Sequence, residues 1–151
     1  MGFSDVFVAP MQAVDDSLAE TGPRGVFPMI EWKGIDNVKV ATLTGILTGR
    51  DHTDLSEGGE FGRLLDESAD VAEADHKEGP WIFQFPDSAV AALKDATDEE
   101  FRDVAARWAA TDELQADQWS REDAETFLRE VQGLTRRADD ADQHLYVWLT
   151  L

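Results

Sequence analysis

The densest group of chemically capable residues in this 151-residue chain is Asp51-His52-Thr53-Asp54, followed closely by Glu57 and Glu60. A histidine among carboxylates can hold a divalent cation or share a proton. Asp75-His76 lies in the same irregular stretch and brings a second imidazole. Asp51, His52, Asp54, Glu57, Glu60 and His76 are therefore the candidate binding or metal residues. The spacing does not make an EF-hand loop, which needs acidic residues at its first, third and fifth positions. Nor does it set the two histidines at a fixed helical interval, as many metal sites do. The plainer reading of both clusters is a solvated acidic surface loop. His144, at the start of the last strand beside a helix C-terminus, is explained by the helix dipole without a catalytic role.

Other chemistries find less support. There is no cysteine, and none of the serines stands in a G-x-S-x-G context. Gly58-Gly59 with Gly62 lacks the lysine of a phosphate-binding loop and does not join a strand to a helix. A phosphate there would also face Glu57 and Glu60. No cofactor is expected. Five tryptophans are many for this length. Trp81, Trp108 and Trp148 fall at inward positions of regular elements, whereas Trp32 closes an edge strand next to Glu31 and Lys33-Gly34. Trp32 is thus the aromatic candidate for a binding role, against ordinary packing.

The charge balance sets what the chain can meet. Asp and Glu number 32 against 13 Lys and Arg, a formal net charge of −19. Such a surface repels nucleic acid and anionic membranes, which are bound by clustered Lys and Arg. Asp (19) outnumbers Glu (13), and there are only four Lys. One reading is a halophilic host that keeps its proteins soluble through surface charge. The other is an acidic face that steers a basic partner toward it. The absence of cysteine fits the cytoplasm. The first ten residues do not read as a signal peptide, and no apolar run nears the roughly 20 residues of a membrane span.

The elements that must position these residues follow from pattern. Thr97 to Ala110 is the clearest helix: Thr97 and Glu100 make a capping box, and Phe101, Val104, Ala105, Trp108 and Ala109 share one face. Residues 4–8 read as a first strand and 11–20 as a helix. Residues 26–32 read as a second strand, in which Pro28 calls for a sheet edge or a bulge. Asp36 is the expected cap of a helix over 37–48, with Val40, Leu43, Ile46 and Leu47 on one side and Gly49 after its last turn. Gly45 within it predicts close packing. Residues 50–80 are irregular apart from a short helix or turn over 61–67 and a few extended residues at 71–74. Residues 81–85 make a strand, and Asp87 or Ser88 caps a short helix over 89–94. Residues 111–118 read as a polar link. Ser120 and Asp123 cap a long helix running to about residue 138, with Ala124, Phe127, Leu128, Val131 and Leu134 inward. Residues 139–142 turn the chain into a last strand over 144–151, apolar on both faces and so expected at the sheet's centre.

Asp36 followed by Leu43 and Ile46-Leu47-Thr48-Gly49 resembles the "D…L..LLTG" helix of the YfbM-like family of bacterial proteins of unknown function. The later order of strand, double helix, long helix and final strand is similar too, although Val40 stands near the place of that family's tryptophan. The resemblance implies a fold and carries no catalytic residue.

Together these patterns predict one acidic α+β domain, with a mixed or mostly antiparallel sheet of about four strands under two or three main helices. The leading functional reading is a non-enzymatic interaction module for a basic protein partner, of which an immunity-type protein is one version. The alternative is a small metal-dependent enzyme or metal-binding domain built on the loop at 50–80. Oligomeric state is left open by the sequence.

Overall fold

Alternation of Ser4, Val6 and Val8 with Phe3, Asp5 and Phe7 is the first feature that the structure turns into architecture. In the computed structural model, which describes residues 2–74, 79–137 and 142–150, this segment is β1 (Phe3–Pro10), a strand buried on both faces from Ser4 to Ala9. It lies second in an antiparallel sheet completed by β2 (Met29–Lys33), β3 (Asp70–Glu73), β4 (Trp81–Gln84) and β5 (Gln143–Leu149), in the order β2-β1-β5-β4-β3. The expected strand count of about four becomes five because residues 70–73 pair with β4. β5 is the central strand, as its two apolar faces predict. β2 is an edge strand that begins just after Pro28, whose carbonyl still accepts from the Val8 N–H at 3.1 Å.

One face of the sheet carries the helices α2 (Asn37–Thr48), α4 (Asp87–Asp95), α5 (Asp98–Ala109) and α7 (Arg121–Arg137). Val6, Val8, Phe83, Leu145 and Val147 point into this layer and meet Leu43, Leu93, Phe101, Trp108, Phe127 and Leu128. The capping box on α5 is formed in full, with Thr97 Oγ1 accepting from Glu100 N at 3.2 Å. Ser120 and Asp123 exchange the equivalent bonds at the start of α7.

A long run of α2 is buried within the layer. Asp36 caps it by accepting from Lys39 N at 2.9 Å, and Gly49 ends it in the left-handed conformation. Every residue from Lys39 to Ile46 is buried, so the expected one-sided face is replaced by burial all round. The polar positions make this tolerable because each finds an internal partner. Thr42 and Thr44 hydroxyls donate to the carbonyls of Lys39 and Val40. The Lys39 ammonium, 3% exposed as a residue, pairs with Asp117 and lies 3.6 Å from Asp36.

Four further expectations need correction. The second strand does not start at residue 26: Val26 and Phe27 donate back to the Pro23 carbonyl in a turn, and β2 starts at Met29. Residues 11–20 do not make one helix: Met11–Ala13 forms a 3-10 turn, and α1 (Asp16–Thr21) starts where the Asp15 side chain accepts from Leu18 N at 2.8 Å. The short helix before α5 begins at Asp87, so Pro86 takes the cap position and neither Asp87 nor Ser88 caps it. The polar link contains α6 (Asp112–Ala116), anchored by buried Leu114. The segment at 139–142 lies outside the described residues except for Asp142.

Gly45 is as crowded as expected. A Cβ there would stand 2.8 Å from the Cβ of His52, 3.0 Å from the Arg50 carbonyl oxygen and 3.1 Å from Leu64 Cδ1. Helix propensity alone would make Gly45→Ala stabilising by about 1 kcal/mol. The clash with backbone reverses the sign, and urea unfolding should show a loss of about 1–3 kcal/mol.

Candidate functional site

The loop that carries the predicted cluster is built on turns, and its carboxylates are spent making them. Asp51 accepts from the Thr53 N–H at 3.0 Å and from the Thr53 hydroxyl at 2.5 Å. Those hydrogen bonds, first the side-chain one, hold the Asp51 carboxyl below its ordinary range. Asp54 accepts from Ser56 Oγ at 2.6 Å and from the backbone N–H groups of Ser56 and Glu60, and its pKa is lowered for the same reason. The last of these bonds sits at the start of α3 (Glu60–Glu67), so Asp54 serves the first turn of that helix. Glu60 binds Arg50 at 2.5 Å, and Arg50 also binds Glu67 at 2.6 Å. Glu57 is exposed, and half-buried His52 packs its Cβ toward Gly45. His76 lies outside the described residues. Among the described residues, no three His, Asp or Glu side chains gather as a metal site would require.

Trp32 is half-buried inside an aromatic group. Its ring stacks on Trp119 with centroids 5.2 Å apart, meets Phe127 edge-on at 5.2 Å, and its indole N–H donates to Glu130 at 2.6 Å. Packing and a hydrogen bond thus account for its place at the sheet edge. The loop at 51–60 and Trp32 are not brought together.

The arrangement with most chemical potential is on the other face of the sheet. Among the described residues, α1, the 3-10 turn and the loop after α1 cover that face, through Leu18, Ala19, Val14 and Phe27. At one end they leave a cavity of about 340 Å³. Its floor is Asp5 on β1, which pairs across the strands with Glu31 on β2 and Trp148 on β5. Phe3 and Thr150 extend the floor, and residues 21–24 form the wall. The Trp148 ring is fixed there by its indole N–H, which donates to the Ala19 carbonyl at 2.7 Å. Gly22, at φ +81°, lies so close to that ring that a Cβ would stand 3.1 Å from it. Only a glycine fits both the backbone angle and the approach.

Asp5 is 5% exposed, and no donor of the described chain reaches its carboxylate. Arg24 lies at the mouth, but its guanidinium pairs with Glu31. Burial, and then the Glu31 charge, raise the Asp5 pKa above the ordinary carboxylate range, while Arg24 opposes them. A carboxyl whose folded pKa exceeds its unfolded value binds more protons in the native state between the two. Stability therefore falls as pH rises above about 4, through the raised pKa. Asp5→Asn removes that fall. The variant should be more stable than the parent at pH 7, by on the order of 1 kcal/mol for a buried polar group without a partner, and indistinguishable near pH 3. Thermal melts across that range check it.

A second hollow of about 210 Å³ on the same face is lined by Met11, Val14, Val71, Gln84 and Tyr146. The Tyr146 hydroxyl is buried there without a hydrogen-bond partner among the described residues, and burial raises its pKa. Sequence reasoning missed both hollows. The available signal was Asp5 itself, an acid in phase with Phe3 and Phe7 on a stripe otherwise apolar.

Known proteins do not extend the picture: no family model, curated protein or solved structure matched the chain. Among the described residues no helix is long and apolar enough to cross a membrane.

Proposed function

We propose that this chain is a non-enzymatic interaction module, and that it receives a basic protein partner on the sparsely covered face of its sheet. The observation that carries this reading is Asp5, a carboxylate on a residue 5% exposed and with no partner among the described residues, set beside Glu31 in a cavity that Phe3 and Trp148 also line. A carboxylate on a cavity floor, on a residue with little exposure, costs stability unless an incoming cation compensates it. The rest of the surface supports the same direction. Arg24, Lys39, Arg50, Arg63, Arg107 and Arg129 are all engaged by carboxylates of the chain itself, so the excess of negative charge faces outward. A field of that sign speeds encounter with a basic partner and is screened by salt. An immunity-type role fits this chemistry, and the resemblance to the YfbM-like family adds a fold expectation without an activity.

The test is capture of partners by the tagged chain from its native cell extract at low salt, with elution at high salt and identification by mass spectrometry. One basic protein, released stoichiometrically by salt, is the expected result. A column that retains nothing above control counts against the reading and leaves the acidity as adaptation to a salty cytoplasm. That adaptation is checked separately by melting points that climb with molar salt.

A further inference from the structure

We infer that the Asp5 cavity is a guanidinium-binding site, filled by an arginine side chain of the partner or by a free guanidino compound. The inference deepens the proposed function, on which the choice of a protein-borne arginine rests; the cavity chemistry itself stands on the geometry.

Three observations select the guanidinium. First, the cavity offers one buried, unpartnered carboxylate below and one exposed carboxylate at the rim, Asp5 and Glu31, from neighbouring strands. A buried carboxylate demands a cation that can shed its water. The planar, weakly hydrated guanidinium does so more readily than an ammonium, and its several N–H donors suit carboxylates. Second, the hydrogen-bonded Trp148 ring and the Phe3 ring supply faces on which a flat cation can lie. Phe3 already holds a cation in this way, with the Lys33 ammonium 5.3 Å from its centroid. Third, the rim carboxylate already holds a guanidinium of the chain itself, that of Arg24. Arg24 satisfies Glu31 and leaves Asp5 open, so the inner position lacks only a second group of the same kind. A volume of about 340 Å³ is at the small end of ligand cavities and admits a side-chain-sized group.

Arg24 then has a defined part. It competes for the rim carboxylate and repels an incoming cation. Removing it should tighten binding, whereas neutralising Asp5 should weaken it strongly.

The experiment is a titration of the isotope-labelled chain with ethylguanidinium chloride. It is followed by amide and indole N–H chemical shifts at constant ionic strength, far below denaturing concentrations. Propylammonium and neutral ethylurea serve as controls, and an arginine-containing peptide with its citrulline counterpart forms the second arm. The expected result is a saturable shift at the Trp148 indole and at the Phe3, Asp5 and Thr150 amides with ethylguanidinium, weaker with propylammonium and absent with ethylurea. Asp5→Asn, which keeps the side chain's shape, should weaken binding at least tenfold, and Arg24→Ala should strengthen it about threefold. Tighter binding of the arginine peptide than of the free cation assigns the site to a protein-borne arginine. Equal binding assigns it to a free guanidino compound.

No shift at these positions in the folded parent overturns the inference, as does unchanged affinity in Asp5→Asn. Its fate is separable from that of the partner reading. A salt-released basic protein retained equally by the parent and by Asp5→Asn would uphold the interaction module and overturn the guanidinium site. Asp5-dependent binding of ethylguanidinium with no captured protein would do the reverse.

Discussion

Trp108→Ala should lower stability by about 3–5 kcal/mol, the largest loss expected from any single truncation in this chain. Trp108 is the largest fully buried side chain, with no exposed surface. Its ring meets Trp119 at 62° and Phe127 at 42°, both with centroids 5.6 Å apart. Its indole N–H donates to the Lys39 carbonyl at 3.1 Å and to the Thr42 hydroxyl at 3.3 Å, which ties α5 to the polar side of α2. Truncation therefore opens a cavity, loses aromatic contacts and leaves α2 acceptors buried without their donor. For a domain with ordinary stability of 5–15 kcal/mol this is a large fraction. Denaturant unfolding should show a lower midpoint with an unchanged slope. Trp108→Phe, which keeps most of the ring but not the N–H, separates the two contributions and should cost about 1–2 kcal/mol. A Trp108→Ala chain as stable as the parent would mean that α2 and α5 are not packed as described.

The second large effect is asymmetric. Asp117→Ala should cost about 3 kcal/mol, whereas Lys39→Met should stay within about 1 kcal/mol of the parent. The reason is where the two charges sit. The Lys39 side chain is 4% exposed, while that of Asp117 is 30% exposed and that of Asp36 45%. Removing Asp117 strands an ammonium inside the helix layer with only Asp36, 3.6 Å away, to answer it. Removing Lys39 returns two carboxylates to solvent and fills the same space with an unbranched apolar chain. The double variant should recover most of what Asp117→Ala loses, so the two changes will not add. Equal losses from both single variants would show instead that the ion pair is itself a net source of stability.

Lys39 also marks the limit of what could be read from sequence. Where structure is set by neighbours in the chain, the reading was good. Thr97 with Glu100, Ser120 with Asp123, and Asp36 with Gly49 all bound their helices where the residues said they would. The two apolar faces of residues 144–149 put β5 at the centre, whereas the second strand starts only after Pro28. The reading failed where the deciding partner is remote or the competing turn is short. Thr42, Thr44 and Lys39 look like a polar face and are buried, because Trp108 and Asp117 lie about seventy positions away. Asp15 can stand inside a helix or cap one, and capping won. In the candidate loop, residue types did not announce that Asp51 accepts from Thr53, or that Asp54 accepts from Ser56 and the Glu60 N–H. Asp5 went unnoticed because strand alternation normally turns an acid to water. Its burial comes from Trp148, Glu31 and the loop after α1, none of them near it in sequence.

The pairing of β1 with β5 has a consequence for how the chain is made. Phe3 and Thr150 exchange hydrogen bonds across 147 positions, and the two strands between them form the middle of the sheet. β1 leaves the ribosome before every other described element, yet its inner neighbour is the last to emerge. The helices α2 to α7 lie between them in sequence and have local contacts to make meanwhile. Throughout translation, a strand destined for burial from Ser4 to Ala9 keeps one edge unsatisfied. Such long-range closure is slow, and an unpaired apolar strand invites association with other nascent chains. The strong surface charge of the finished protein has a counterpart here, since it is present in the growing chain as well and keeps unfinished copies apart until β5 closes the sheet.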